Sequence, residues 1–223
     1  DIPTGGGGKE VEEKAVNFYD YDGTLVDSMP VYAALMLQIL EEHSIPHDKG
    51  IIKITTPLGY RGTAELFCRM GLPLGVDELV AVMTSRAVEA YTHRVPAKAH
   101  VPEVLRALRS RGDSLNVLTA SPHAMLDPCL KRLGLYDLFD HVWSCDDFAT
   151  TKADPEIYRM AASRIGQPVE AVTFLDDNPG ADKTAKRAGM RVIGVYDDSS
   201  SEYEQEMRDI CDGYIVDFAA LLP

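Results

Sequence analysis

The sequence predicts an α/β fold: a doubly wound parallel sheet carrying an all-helical insertion near its start. Three observations lead there. A short apolar run, Ala15 to Tyr19, ends in two carboxylates, Asp20 and Asp22, followed by Gly23-Thr24. From about residue 100 onward, short apolar runs alternate with helical stretches, the rhythm of a parallel sheet with crossover helices. Between residues 30 and 95 there are helical patterns and no convincing strand.

The elements follow in order. Ala15 to Tyr19 reads as a buried strand. A helix over about 30–44 has Pro30 in its first turn and a Leu/Met/Ile face. Helices near 62–70 and 76–92 follow, the second with Asp77 as a candidate N-cap. Leu58-Gly59-Tyr60-Arg61-Gly62 reads as a loop. A helix over 102–111 ends at Gly112, and Ser114 to Leu118 is a strand. A helix over 123–133 ends at Gly134, and Asp140 to Ser144 is the next strand. Pro155 to Ile165 is a helix with Asp154 as N-cap and Pro155 at its first position. Val172 to Leu175 is a strand, 179–188 a helix closed by Gly189, and Arg191 to Val195 a strand. A helix over 202–210, a strand over 214–216 and a short helix finish the chain.

Composition limits the functions this scaffold can serve. The chain has 223 residues, 45% of them hydrophobic, enough for one large domain or a domain with an insert. A net charge of −13 argues against nucleic acid and anionic membranes as partners, since both need a basic face. No apolar run reaches the ~18 residues of a membrane span. Cys68, Cys129, Cys145 and Cys211 lie far apart with no metal-binding spacing, as expected of reduced thiols in a cytoplasmic protein. Gly8-Lys9 lacks the flanking residues of a phosphate-binding loop, so residues 1–13 are expected to be a flexible terminus. Nothing marks an oligomer interface, and a monomer or weak homodimer is expected.

In a parallel sheet, ligands bind beyond the C-terminal ends of the strands. The residues just past each predicted strand are Asp20 and Asp22, then Thr119-Ala120-Ser121, then Lys152 on the approach to the next helix, then Asp176-Asp177. Singly, each has a bland reading: an acidic turn, a helix cap, a surface lysine. Together they put carboxylates, a hydroxyl and an ammonium on one edge. That set suits phosphoryl transfer. A carboxylate can attack phosphorus, Mg²⁺ held by carboxylates offsets their repulsion from phosphate, and Lys and hydroxyl donors stabilise the equatorial oxygens. A second carboxylic acid can move the protons.

The order Asp-x-Asp-Gly-Thr, Thr/Ser, Lys, Asp-Asp resembles the haloacid dehalogenase-like superfamily of hydrolases over about residues 14–222. Thr119-Ala120-Ser121, Asp154-Pro155-Glu156-Ile157-Tyr158 and Ala185-Lys186-Arg187-Ala188-Gly189-Met190 fit as well; Ala153 replaces the usual first Pro of Lys-Pro-Asp-Pro. The resemblance implies that Asp20 is the nucleophile and a Mg²⁺ ligand. Asp22 would be the general acid/base, with its backbone carbonyl on the metal. Thr119 and Ala120 would bind the phosphoryl group, and Lys152 would orient nucleophile and phosphate. Asp177, with Asp176, would complete the metal shell. It further implies a core of residues 14–28 and 99–223 and a helical cap over 29–98.

Within that superfamily Asp22 narrows the chemistry. The dehalogenases lack an acid there, and phosphonoacetaldehyde hydrolases need a cap lysine that residues 54–97 do not supply. β-Phosphoglucomutase-like enzymes carry a His four residues after the Ser/Thr matching Ser28, where this chain has Tyr32. Signalling receiver domains share the residue types in another order and without a cap; an idle phosphate-binding protein would not need every reactive side chain. The expectation is a Mg²⁺-dependent phosphatase of a small phosphorylated metabolite, with the mutase as the alternative and Arg61 as a candidate contact to an anionic substrate group. Sugar phosphate, phosphoglycolate and nucleotide all fit.

Overall fold

Strand register decides where every functional side chain lands, and in this computed structural model, described over residues 14–222, the register is unbroken across six parallel strands. They are β1 (Val16–Tyr19), β2 (Ser114–Thr119), β3 (His141–Ser144), β4 (Val172–Asp176), β5 (Arg191–Val195) and β6 (Gly213–Ile215), in the order β3-β2-β1-β4-β5-β6. β1 pairs with β2 on one side and β4 on the other, Tyr19 standing level with Val117 and Leu175. The winding reverses at β1, which opens a crevice at the C-terminal edge of this strand. The predicted doubly wound parallel sheet is therefore observed. The expected flexible N-terminus, residues 1–13, lies outside the described residues.

Alternation along β1 sends Phe18 to one face and Tyr19 to the other. Phe18 joins Val172, Phe174, Ile157 and Tyr158 in a core beneath α7 (Pro155–Arg164) and α8 (Pro179–Ala188). Tyr19 joins Leu115, Val117 and Leu175 in a second core under α5 (Val101–Arg111) and α6 (His123–Arg132). That second core continues without a break into the helices that precede residue 94: α1 (Met29–Glu42), α2 (Ile51–Thr55), α3 (Gly59–Arg69) and α4 (Val76–His93). The two chain segments joining them to the sheet pair with each other. Asp27 N donates to Pro96 O, and Lys98 N donates to Leu25 O, each at 2.9 Å.

The boundaries follow local chemistry. Asn178 caps α8 by accepting from the backbone N–H of Gly180 and Ala181, and Asp154 caps α7 by accepting from Glu156 N. Three expectations are corrected. Residues 58–62 are not a loop: a 3-10 turn over Thr56–Leu58 runs into α3, with Gly59 at φ +67° allowing the redirection. Asp77 is not the N-cap of α4 but lies in its first turn, where its charge favours the helix dipole; Gly75, extended at φ −69°, ψ 155°, is the cap. The helix expected over 202–210 divides into a 3-10 segment, Asp198–Tyr203, and α9 (Glu204–Ile210), because the Asp197 side chain turns the chain by accepting from Ser199 N. No helix among the described residues is long and apolar enough to cross a membrane.

Candidate active site

The site grows from the turn after β1. Asp20 N donates to Leu175 O at 2.9 Å, prolonging the pairing with β4 by one residue. The chain then curls: the N–H groups of Leu25 and Val26 return to Tyr21 O at 2.9 and 3.1 Å, and Gly23 takes φ +75°. This curl takes Asp22 out of the strand, so that its side chain parts company with Asp20. Asp20 faces the end of β4, where Asp176 and Asp177 emerge.

Asp20, Asp176 and Asp177 are all buried, and one carboxylate oxygen from each lies within 4.8 Å of the other two. Lys152 reaches in from the approach to α7. Its ammonium is 2.9 Å from Asp20 Oδ1, 2.6 Å from Asp176 Oδ2 and 5.3 Å from the centre of the Phe174 ring. Thr24 Oγ1 donates to Asp177 Oδ1 at 2.9 Å, and Asn178 N donates to Asp176 Oδ1 at 2.7 Å.

The electrostatics describe a centre with too much negative charge. Burial and then the Asp176 charge push the Asp20 carboxyl up to about 6, against the pull of Lys152. Burial, then Asp176 and Asp20, hold Asp177 well above the usual carboxylate range. Burial would depress the Lys152 ammonium, but Asp176 and Asp20 outweigh it and raise it well above its ordinary value. Three carboxylates face one ammonium. A hard divalent cation on this all-oxygen donor set would supply the missing positive charge. The donor set fits one in shape as well: a Cβ on Gly23 would stand 2.4 Å from Asp177 Oδ2, so the turn passes as close to the carboxylate as a glycine allows.

Asp22 is held differently. Its Oδ1 accepts from Ser28 Oγ at 2.7 Å and from Tyr91 OH, and its Oδ2 accepts from Ser121 Oγ at 2.5 Å. Burial raises its carboxyl, and these three hydroxyls oppose the shift. Its side chain is outside the carboxylate trio, which leaves only its backbone for the metal contact expected from the sequence. Thr119 ends β2, buried, with Oγ1 accepting from Ser121 N at 3.0 Å; Ala120 next to it is exposed.

The structure thus brings Asp20, Lys152, Asp176 and Asp177 into contact and places Asp22 and Thr119-Ala120 on the same sheet edge. Arg61 is not brought to them. It lies in the first turn of α3, mostly exposed, paired to Asp77 at 2.9 Å. Five supporting residues were not singled out from the sequence for these contacts: Thr24, Ser28, Ser121, Tyr91 and Lys98. Lys98 Nζ donates to Gly23 O, Tyr196 O and Asp197 Oδ1 at 2.7, 2.8 and 3.0 Å, fastening the β1 turn to the loop after β5. Thr24 and Ser28 stood inside the acidic motif and Ser121 beside Thr119; Tyr91 and Lys98 carried no local signal.

Comparison with known proteins places the chain among phosphatases and structurally similar hydrolases. The chain is 29% identical over 184 residues to validoxylamine A 7'-phosphate phosphatase of Streptomyces hygroscopicus subsp. limoneus, covering 81% of this chain and 84% of the relative. It is 28% identical over 201 residues to the phosphoglycolate phosphatase of Salmonella paratyphi A, covering 79% of each. Among solved structures, a Thermotoga maritima protein assigned as a β-phosphoglucomutase superposes with a TM-score of 0.80 at 20% identity, covering 93% of this chain and 96% of that one. The sequence model of the haloacid dehalogenase-like hydrolases matches residues 16–189, and the chain belongs to that family.

Proposed function

We propose that this protein is a Mg²⁺-dependent phosphatase that releases phosphate from a small phosphorylated metabolite through an aspartyl-phosphate on Asp20. Phosphatase activity itself is supported by family membership and by relatives named for it. The single observation behind the finer reading is Lys152 bridging Asp20 and Asp176 beside Asp177, a buried arrangement of charge suited to a phosphoryl group.

Asp20, Asp176 and Asp177 would hold the cation, with the Asp22 carbonyl as a further donor; when bound it would neutralise charge on the phosphate oxygens. Asp20 attacks phosphorus. The ester P–O bond breaks, its electron pair leaves on the alkoxide oxygen, and Asp22 supplies the proton that makes it an alcohol. Asp22, now a carboxylate, takes a proton from a water whose oxygen attacks phosphorus. The bond to Asp20 breaks and inorganic phosphate is released. Lys152 and the Thr119-Ala120 edge orient the phosphoryl oxygens throughout. The helices over 29–98 would act as a cap that excludes water during the first transfer.

The test is phosphate release across sugar phosphates, phosphoglycolate and nucleotides with Mg²⁺, in the wild type and in Asp20→Asn. Release by the wild type that is lost in Asp20→Asn is the expected result. Undiminished turnover in Asp20→Asn sinks the nucleophile assignment. Interconversion of two sugar phosphates without net release would select the mutase instead.

A further inference from the structure

The geometry points to Tyr91 as a positioning residue for Asp22: its phenol, anchored by the core helix α6 through Tyr21 and Arg132, holds the Asp22 carboxyl group in the orientation that serves the leaving oxygen. This inference rests on the phosphatase reading above.

Three hydroxyls donate to Asp22, but they differ in stiffness. Ser28 and Ser121 carry theirs on one-carbon side chains that rotate freely. Tyr91 carries its hydroxyl on a rigid ring, and the ring is fixed twice. It stacks on Tyr21, centroids 5.8 Å apart at 29°, and Tyr21 is itself fully buried, donating to Met125 O on α6 at 3.0 Å. The Tyr91 backbone is fixed by Arg132, also on α6. Its guanidinium donates to Tyr91 O at 3.1 Å, to Thr92 O at 2.9 Å and to Val95 O, filling carbonyls left open at the end of α4. Tyr91 OH therefore comes to Asp22 Oδ1 with its ring stacked on the β1 turn at Tyr21 and its backbone held by Arg132, an arm that the β1 turn does not control.

That arm matters because Asp22 sits on a turn. A carboxyl group on a curled segment can rotate between the serines; a phenol whose backbone is held from α6 selects one orientation. The bland alternative is a buried tyrosine that merely finds a hydrogen-bond partner, as buried tyrosines do. The two readings differ in what the loss of the hydroxyl does to leaving groups. An alkoxide needs the Asp22 proton in order to depart, whereas 4-nitrophenolate departs without one.

The experiment is Tyr91→Phe, which keeps the ring stack and removes the hydroxyl. The readout is kcat/KM, which stops at the first phosphoryl transfer, for the alkyl phosphate that the wild type turns over best in the screen above and for 4-nitrophenyl phosphate. Loss of one positioning hydrogen bond is expected to lower the alkyl-phosphate value about tenfold and the 4-nitrophenyl value less than about threefold. Arg132→Met should reproduce the same asymmetry, and inhibition by vanadate should be unchanged in Tyr91→Phe. Equal losses for both substrates, or none for either, overturn the role of Tyr91 and leave the phosphatase standing. A wild type that releases phosphate from none of the sugar phosphates, phosphoglycolate, nucleotides and 4-nitrophenyl phosphate overturns the phosphatase reading and this inference with it.

Discussion

Gly23 approaches Asp177 so closely that a single added Cβ would lie 2.4 Å from Asp177 Oδ2 and 2.8 Å from its Cγ. The glycine also holds φ +75°, so Gly23→Ala strains the backbone and displaces the carboxylate at once. We expect a loss of roughly 1–3 kcal/mol in stability. The displaced carboxylate adds a second effect. Mg²⁺ should raise the Tm of the wild type, because a ligand bound only by the folded state stabilises it, and chelation should reverse the rise. In Gly23→Ala the Mg²⁺-dependent rise should shrink or vanish. Thermal melts with and without Mg²⁺ measure both, and an undiminished rise would show that the turn does not shape the metal site.

Among the described residues, Lys152 is the one ammonium paired with this carboxylate trio, through Asp20 and Asp176. Lys152→Met keeps a long flexible side chain and removes the charge, leaving Asp20 and Asp176 uncompensated in a buried place. Breaking one side of a buried ion pair costs about 3–5 kcal/mol. The expected outcome is a lower Tm with most of the deficit in metal-free buffer, since a bound cation replaces part of the lost charge. Melts of both proteins in chelator and in Mg²⁺ decide it; an equal deficit in the two buffers contradicts the electrostatic account.

Much of this was legible in the sequence because each signal was local. Strands such as Val172-Thr173-Phe174-Leu175 are short apolar runs ending at acidic residues, and Asn178-Pro179 or Asp154-Pro155 announce helices by capping chemistry. What escaped was tertiary. Tyr91 looks like any apolar-face residue of α4 until the fold sets it against Asp22, 69 positions away. α2 spans only Ile51–Thr55, too short to show a helical period, and two glycines made Gly59 to Gly62 read as a loop although they begin α3. Asp182 reads as the polar face of α8 and is in fact fully buried.

Arg61 lies in that same segment. On the outer turn of α3, paired with Asp77, it contributes an exposed ion pair worth under ~1 kcal/mol. Arg61→Ala should leave kcat/KM within about threefold of wild type on any substrate that turns over, anionic ones included. Steady-state kinetics test this, and a larger selective loss on a substrate carrying a carboxylate would return Arg61 to the site.

Asp182 gives a pH signature separable from the catalytic carboxylates. It is fully buried in α8; among the described residues its Oδ1 has no hydrogen-bond partner, and its Oδ2 accepts from the Cys211 thiol at 3.6 Å. Burial, and then the Asp176 charge, push its carboxyl up to about 10 from an ordinary 3.8. A folded-state value above the unfolded one means that the folded chain binds the extra proton. The associated stability is complete below about pH 4 and is lost progressively as pH rises toward about 10. The slope is at most about 1.4 kcal/mol per pH unit. Asp182→Asn removes the titration and keeps the volume. The Tm of wild type should therefore fall more steeply than that of Asp182→Asn between about pH 5 and pH 9, the two curves diverging toward alkaline pH. Parallel curves across that range would mean that Asp182 ionises in the folded protein as it does in water, which its burial without a cationic partner argues against.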